Sequence, residues 1–311
     1  MTPEQARGHL PMWRIQMQTE RVSPHTLTAY QTSARQYLDW CEQEGHQPFH
    51  QASLRAWSAQ LLTEAGKAPA TVRLRLAGVR SLAAFLTGEG ELAAFPFPKV
   101  KAPSLDDDLV TEPLALGELQ AMVKACRLPA GRHPYTTRLL ARRDEALLRL
   151  LIETGCRASE LANMTMADVA NLGADTRGSA RIIGKGRKER PMTWGPEASL
   201  ALMRYLKLRE QHKLADSDRL WLGAQGKGFG YQGLYHAMIK RAELAGVADF
   251  HPHKMRHTFA HRWLDAGGDP AELMDVCGWE HVSMVRRYSK AQRHQRAAAT
   301  AARLNLGNLS A

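Results

Sequence analysis

The chain has 311 residues, which is more than one hydrophobic core usually organises, so two domains are expected. With 44% hydrophobic and 23% charged residues, its composition argues against a wholly disordered chain. The net charge of +11 indicates a polyanionic partner, most commonly a nucleic acid.

Residues 1–97 have the pattern of a helical domain. A helix with one apolar face begins at Ser23, and Gly45 ends it. Two more helices are predicted over residues 53–64 and 70–86, where apolar side chains recur with helical spacing.

The helix predicted over residues 70–86 has a basic side as well as an apolar stripe. Its arginines are Arg73, Arg75 and Arg80. We predict that they contact the backbone of a nucleic acid, although arginines also commonly form a solvated helix face.

Residues 98–110 are predicted to link the two domains, because this region is rich in proline and lacks apolar periodicity. It contains three consecutive aspartates, Asp106, Asp107 and Asp108. No metal site is expected there, since consecutive side chains of an extended chain point in alternating directions.

The second half of the chain predicts further helices and one β-hairpin, so the expected fold is mainly α with a small β-sheet, an α+β fold. The helices are predicted over residues 114–126, 138–154, 157–164, 196–214, 230–245 and 253–266, and the hairpin over residues 181–194. Asp269 is expected to cap a helix that ends at Gly278, and Ser283 to cap a short last helix.

The four cysteines are far apart and form no Cys-x-x-Cys pair. We therefore expect neither a disulfide framework nor a zinc ribbon, and the cysteines fit a reducing cytoplasm. The first residues contain no continuous apolar segment, and no apolar run approaches the roughly 18 residues that a membrane span needs. Neither a signal peptide nor a membrane partner is expected.

Arg157 stands shortly after a glycine in TGCRASEL, residues 154–161. A guanidinium is always charged and donates hydrogen bonds as a planar fork, so arginine suits a phosphate group. Glu160 follows within one helical turn, where it either orients the Arg157 guanidinium or pairs with it at the surface.

A second candidate cluster lies in HPHKMRHTFAHRW, residues 251–263. His253, Arg256 and His257 share one helix face, and the first two are predicted to reach one phosphate together. The spacing of His253, His257 and His261 also suits zinc, but no His-Glu-x-x-His motif is present and no metal site is expected. His261 is predicted to be at the surface or partly buried.

The hairpin centre reads GKGRKER, residues 184–190, and contains Lys185. Lysine suits a general acid because its ammonium group can lose a proton, which arginine cannot do. Arg187, Lys188 and Arg190 are predicted to contact a nucleic-acid backbone or to remain solvated. A Walker-type phosphate loop is excluded, because its spacing is absent.

Tyr288 ends the motif GWEHVSMVRRY, residues 278–288. A tyrosine hydroxyl with a pKa of about 10 needs a neighbouring base or positive charge to act as a nucleophile. A single tyrosine usually serves packing, so this assignment depends on the other motifs.

The four motifs TGCRASEL, GKGRKER, HPHKMRHTFA and GWEHVSMVRRY resemble, in order and spacing, those of the tyrosine recombinases, the phage integrase family that includes the Xer and Cre recombinases. The resemblance covers residues 110–295, and the N-terminal half is similar to the family's helical core-binding domain. It implies a two-domain DNA clamp, with the core-binding domain at residues 1–97 and the catalytic domain at residues 111–311.

The resemblance implies site-specific cutting and rejoining of DNA through a 3′-phosphotyrosine, as in integration, excision or dimer resolution. The implied catalytic residues are Arg157, Lys185, His253, Arg256, Trp279 and Tyr288, with Glu160 and His257 in support. Trp279 occupies a position where histidine is commoner. No cofactor is implied.

The implied partner is a double-stranded DNA recombination site, bound by a homo-tetramer or by an assembly with a related recombinase, in the nucleoid of the cytoplasm. Two alternatives remain at this point. One is a DNA-relaxing enzyme similar to type IB topoisomerases, and the other is a catalytically silent DNA-binding accessory protein with the same fold.

Overall fold

The computed structural model describes residues 1–104, 112–128, 134–170, 172, 177–184, 189–224 and 228–289. At residues 134–135 and 286–289 the description covers the backbone alone. The chain divides into two compact units, Met1–Asp107 and Asp108–Ala311. This division falls inside the segment predicted as a linker, and the exact limits of the two functional domains stay a prediction.

The first unit is helical in its described part. Its helices are α1 Pro3–Gly8, α2 Leu10–Thr19, α3 Pro24–Gln43, α4 Gln51–Thr63 and α5 Pro69–Gly88. The start of α3 is confirmed, because the Ser23 hydroxyl accepts a hydrogen bond from the backbone nitrogen of Thr26 at 3.1 Å. Helices α1 and α2 were not predicted individually. The signal for α1 was a capping box, in which the Thr2 and Gln5 side chains bond to each other's backbone nitrogens.

Aromatic side chains fill much of the core of the first unit. Tyr37 and Trp57 are buried, with ring centroids 5.0 Å apart. Phe97 and Val100 are buried in the same cluster, although Val100 lies in the segment predicted as a linker. The start of that segment therefore belongs to the first unit, because its apolar side chains find buried partners between the prolines and lysines.

The second unit combines helices with a two-stranded antiparallel sheet in its described part, so the expected fold class is confirmed. Its helices are α6 Leu116–Ala125, α7 Pro134–Thr154, α8 Ala158–Ala162, α9 Pro196–Arg209, α10 Tyr231–Leu244, α11 Pro252–Asp265, α12 Pro270–Cys277 and α13 Val282–Ser289. Strands β1 Gly178–Ile183 and β2 Glu189–Trp194 confirm the hairpin, and Ile182 stands opposite Arg190. No helix in the described ranges has both the length and the apolar character that a membrane span requires.

A buried ionic network joins α6, α7 and α10. The Asp144 carboxylate accepts hydrogen bonds from Arg143 at 2.7 Å and from Arg241 Nε at 2.9 Å. Arg241 also donates to the carbonyl oxygens of Ala125 and Leu128. Since one member cannot be removed without leaving a buried charge, this network fixes how the three helices pack.

The ends of the helices near the motifs differ in part from the predictions. The Asp269 cap is confirmed, because its carboxylate accepts hydrogen bonds from the first backbone nitrogens of α12. The expected cap at Ser283 is wrong: α13 already begins at Val282, which places Ser283 inside the helix. The helix predicted over residues 157–164 is shorter, because Arg157 itself caps α8 from outside and the helix ends at Ala162.

Gly155 makes the turn between α7 and Arg157. Its φ is +56°, in the left-handed region that favours glycine. A Cβ atom at this position would also lie 2.3 Å from Phe259 Cδ1 of α11. Both the backbone conformation and the close approach of α11 therefore require glycine here.

We predict that Gly155→Ala lowers the free energy of unfolding by about 2–4 kcal/mol, because left-handed strain and overpacking against Phe259 add together. Urea denaturation measures this change. Gly88→Ala is the control, since a Cβ at the end of α5 meets nothing within 4 Å. Equal denaturation midpoints for the two variants would contradict the prediction.

Candidate active site

Arg157 and Glu160 form one unit at the start of α8. The backbone nitrogen of Arg157 donates to Glu160 Oε2 at 2.8 Å, and Arg157 Nη1 donates to Oε1 at 2.8 Å. The Glu160 side chain is only 4% exposed, whereas that of Arg157 is 30% exposed. The buried Glu160 carboxylate therefore orients the more exposed guanidinium of Arg157. This excludes the alternative that the two residues form a loose ion pair at the surface.

Burial acts to raise the pKa of the Glu160 carboxyl. The hydrogen bonds from Arg190 and Arg157 outweigh this effect, so the pKa lies below its ordinary value. Glu160 is therefore a carboxylate at neutral pH and accepts hydrogen bonds from both arginines.

Arg256 is more deeply buried than Arg157, with 2% of its surface exposed. Its Nη1 donates to the carbonyl oxygen of Gly155 at 3.1 Å, and its Nη2 donates to that of Cys277. The guanidinium carbon lies 5.2 Å from the ring centroid of Trp279. These contacts hold Arg256 between the turn after α7 and the end of α12.

Three consecutive carbonyl oxygens at the end of α12 each accept a hydrogen bond from a different arginine. The pairs are Val276 with Arg190 at 3.0 Å, Cys277 with Arg256, and Gly278 with Arg157 at 3.4 Å. The last carbonyls of a helix lack partners within the helix and carry partial negative charge. The helix end thus attracts and positions all three guanidinium groups.

Arg190 is the member of this set that the sequence pattern missed, because it was predicted to contact DNA or to remain solvated. Its side chain is only 11% exposed, and it donates to both carboxylate oxygens of Glu160. The two-residue period of the strand was the available signal. Arg190 stands two residues before Met192 and four before Trp194, both of which are buried, so all three side chains lie on the same side of β2.

The histidines of α11 lie side by side. The rings of His253 and His257 meet edge to face, with centroids 4.6 Å apart. Partial desolvation, followed by the charge of Arg256, lowers the pKa of His253, so its imidazole is neutral at neutral pH. His261 is buried at 5% exposure, so the prediction of a surface or partly buried side chain is wrong.

Trp279 follows the end of α12 and is 8% exposed. It belongs to a hydrophobic cluster that includes Leu273 of α12 and Val285 of α13. Tyr288 lies in α13 three residues after Val285, and its side chain is outside the described residues. Lys185, with its neighbours Arg187 and Lys188, also lies outside them.

The three arginines of α5 have different surroundings. Arg80 Nη1 donates to the carbonyl oxygens of Phe97 and Val100, each at 2.9 Å. Arg73 is exposed and donates to the carbonyl oxygen of Pro103 at 3.1 Å, and Arg75 is half-buried. Arg80 thus ties the segment after α5 to the helix, and the DNA contacts of all three stay a prediction.

No group of three or more histidine, cysteine or acidic side chains is arranged to hold a metal ion in the part of the chain that the structure describes. The guanidinium groups of Arg157, Arg190 and Arg256 instead concentrate positive charge around the end of α12.

Residues 116–295 match the protein family described as "Phage integrase family". The chain belongs to this family. Residues 13–90 match a second family domain, described as "Phage integrase, N-terminal SAM-like domain". The two matches fall in the two compact units of the chain.

Family relatives extend over most of the chain. The tyrosine recombinase XerC of Roseiflexus castenholzii is 31% identical over 275 residues, covering 86% of this chain and 83% of that protein. XerD of Bifidobacterium longum is 28% identical and covers 85% and 86% of the two proteins. With the motifs in place, these relatives assign the chain to the tyrosine-type site-specific recombinases.

Solved structures of family members share the fold. XerH recombinase bound to its difH substrate superimposes with a TM-score of 0.70 at 16% identity, covering 96% of this chain and 84% of the other. The Tn1549 transposon integrase with transposon right end DNA gives a TM-score of 0.66 at 19% identity, covering 98% and 99%. At these identities the comparison supports the architecture alone.

We predict that acid destabilises the second unit through His257. Burial, and then the neighbouring His253, lower the pKa of His257 from 6.5 to about 4. Between these values the unfolded chain binds more protons than the folded chain, so the free energy of unfolding falls as the pH is lowered through this window.

Urea denaturation at several pH values measures this slope. His257→Gln should reduce it, whereas His25→Gln, a change at an exposed position in α3, should leave it as it is. Equal slopes in the wild type and the His257→Gln variant would refute the assignment.

Proposed function

We propose that this recombinase cuts and rejoins double-stranded DNA by attack of Tyr288 on a phosphodiester. The observation that carries the proposal is the pair of guanidinium groups, Arg157 and Arg256, held at the end of α12 beside Trp279. Both are fixed before substrate arrives, which is how charge that develops on a phosphate is best stabilised.

In the proposed first step, the Tyr288 oxygen forms a bond to phosphorus and the bond to the 5′ oxygen breaks. The products are a 3′-phosphotyrosine and a 5′ hydroxyl. Lys185 gives its proton to the leaving 5′ oxygen, and the neutral His253 accepts the proton of the tyrosine hydroxyl.

In the second step, a 5′ hydroxyl of the partner duplex attacks the phosphotyrosine and releases Tyr288. One phosphate ester replaces another in each step, so the energy of the broken bond is retained and no nucleotide cofactor is needed. Removing one of the charged donors typically lowers such a rate by about 10²–10³.

Trp279 cannot transfer a proton in the proposed reaction. An indole N–H donates a hydrogen bond but has no basic nitrogen, so it binds a phosphate oxygen without moving a proton. Its packing against Leu273 and Val285 gives it a second role, because the same cluster anchors the helix that carries Tyr288.

The recombinase reading is favoured over a relaxing enzyme or a silent accessory protein. The similarity to tyrosine recombinases XerC and XerD covers 83% and 86% of those proteins, and this sequence contains Arg157, Lys185, Arg256 and Tyr288. We further propose that four copies assemble on two duplexes in the nucleoid of the cytoplasm, with Arg73, Arg75, Arg80, Arg187 and Lys188 as backbone contacts.

We expect Tyr288→Phe to abolish covalent attachment to DNA and to leave DNA binding intact, because only the attacking oxygen is lost. A nicked substrate that traps the covalent complex, followed by a denaturing gel, measures the attachment. Tyr231→Phe, a change at an exposed tyrosine of α10, should keep it. A covalent adduct formed by Tyr288→Phe would overturn the nucleophile assignment.

We also expect cleavage to continue in excess EDTA, because the arginines supply the positive charge that divalent cations supply in other phosphoryl-transfer sites. The same trapping assay measures the rate with and without the chelator. A strict requirement for added magnesium would contradict the proposed mechanism.

A further inference from the structure

Arg190 has contacts that a DNA-facing arginine of a hairpin would not have. Its Nη1 and Nη2 donate to the two oxygens of Glu160 at 3.0 and 2.8 Å, and its Nε donates to the Val276 carbonyl oxygen at 3.0 Å. By contrast, Arg181 on the adjacent strand is 86% exposed. All three nitrogens of the Arg190 guanidinium are therefore directed into the protein.

The contact with Glu160 extends to Arg157. Glu160 is a buried carboxylate that receives hydrogen bonds from the Arg190 guanidinium on one side and from Arg157 on the other. Without Arg190, half of these bonds are lost and the buried charge is left poorly satisfied. Glu160 then relaxes toward solvent, and the Arg157 guanidinium moves with it.

The contact with Val276 extends to Trp279. Two backbone hydrogen bonds close the last turn of α12: the Gly278 nitrogen donates to the Asp275 carbonyl oxygen, and the Trp279 nitrogen donates to that of Met274. The Val276 carbonyl is satisfied by Arg190 instead. Arg190 thereby ties the β-hairpin to the helix end from which Trp279 emerges.

We propose that Arg190 is a positioning residue of the recombination reaction. In this role Arg190 contacts no substrate atom. It fixes the position of Arg157 through Glu160 and the position of the end of α12 through Val276. Both are thereby held in place relative to the hairpin that carries Lys185. This inference rests on the proposed function, and it adds a third arginine whose role is geometry.

Arg190→Lys is the sharpest test, because it keeps the positive charge but cannot bond at once to both Glu160 oxygens and to Val276. Arg181→Lys is the matched control on the neighbouring strand. The readouts are the single-turnover rate of covalent complex formation, the Kd for DNA, and circular dichroism at the assay temperature.

We expect Arg190→Lys to be folded and to bind DNA as the wild type does, while its rate falls by about 10²-fold, the scale that a misplacement of about 1 Å produces. Arg181→Lys should react at the wild-type rate. A folded Arg190→Lys variant that reacts as fast as Arg181→Lys would overturn the proposal.

Glu160→Gln and the double variant Arg190→Lys/Glu160→Gln complete the design. If Arg190 acts through Glu160, the double variant reacts about as slowly as the slower single variant, because the two residues form one unit. Full multiplication of the two single effects would count against the proposal. A wild-type rate in Glu160→Gln would also count against the proposal. This variant therefore tests the positioning role of Arg190 even if Arg190→Lys does not fold.

The Tyr288→Phe experiment separates this inference from the proposed function. If the wild type forms no covalent complex that depends on Tyr288, the proposed function fails. If the complex forms but Arg190→Lys leaves its rate unchanged, the proposed function stands and only the positioning role of Arg190 is lost.

Discussion

The hydrogen bonds at the end of α12 are the interaction on which the candidate site depends. A helix leaves its last carbonyl oxygens without internal partners, and burial makes an unsatisfied carbonyl costly. Here three successive carbonyls, those of Val276, Cys277 and Gly278, are each satisfied by an arginine from a different part of the second unit. The hydrogen bonds that satisfy these carbonyl oxygens thereby bring together three guanidinium groups, whose positive charge suits a phosphate.

Three guanidinium groups so close together repel one another, and two features offset that repulsion. Glu160 supplies one full negative charge between Arg157 and Arg190, and its lowered pKa keeps it ionised. The helix end supplies partial negative charge beside the arginines. A net positive field remains, and it is already oriented before DNA binds, which is the condition for a large electrostatic effect on rate.

Local spacing was enough to predict some of these elements. The Asp269 cap and the closeness of Glu160 to Arg157 involve residues three positions apart or fewer, so the sequence pattern contains them. Arg190 could not be assigned in this way, because its partners lie 30 and 86 positions away along the chain. A glycine- and lysine-rich hairpin also resembles a solvated DNA contact when only composition is considered.

The same reasoning explains the smaller differences. Phe97 and Val100 stand among prolines and lysines, and only the folded core of the first unit shows that they are buried. The expected cap at Ser283 fails by two positions, a scale at which side-chain preference rarely decides where a helix begins. The fold class and the identity of the motifs do not depend on such details.

The placement of the arginine-binding carbonyls late in the chain has a consequence for synthesis. A nascent polypeptide that has emerged only through α11 already contains Arg157, Arg190 and Arg256, but not the helix end that assembles them. Such a chain lacks the carbonyl oxygens of Val276, Cys277 and Gly278, to which the three arginines bond. The arrangement of the three guanidinium groups therefore forms only after the end of α12 has been synthesised.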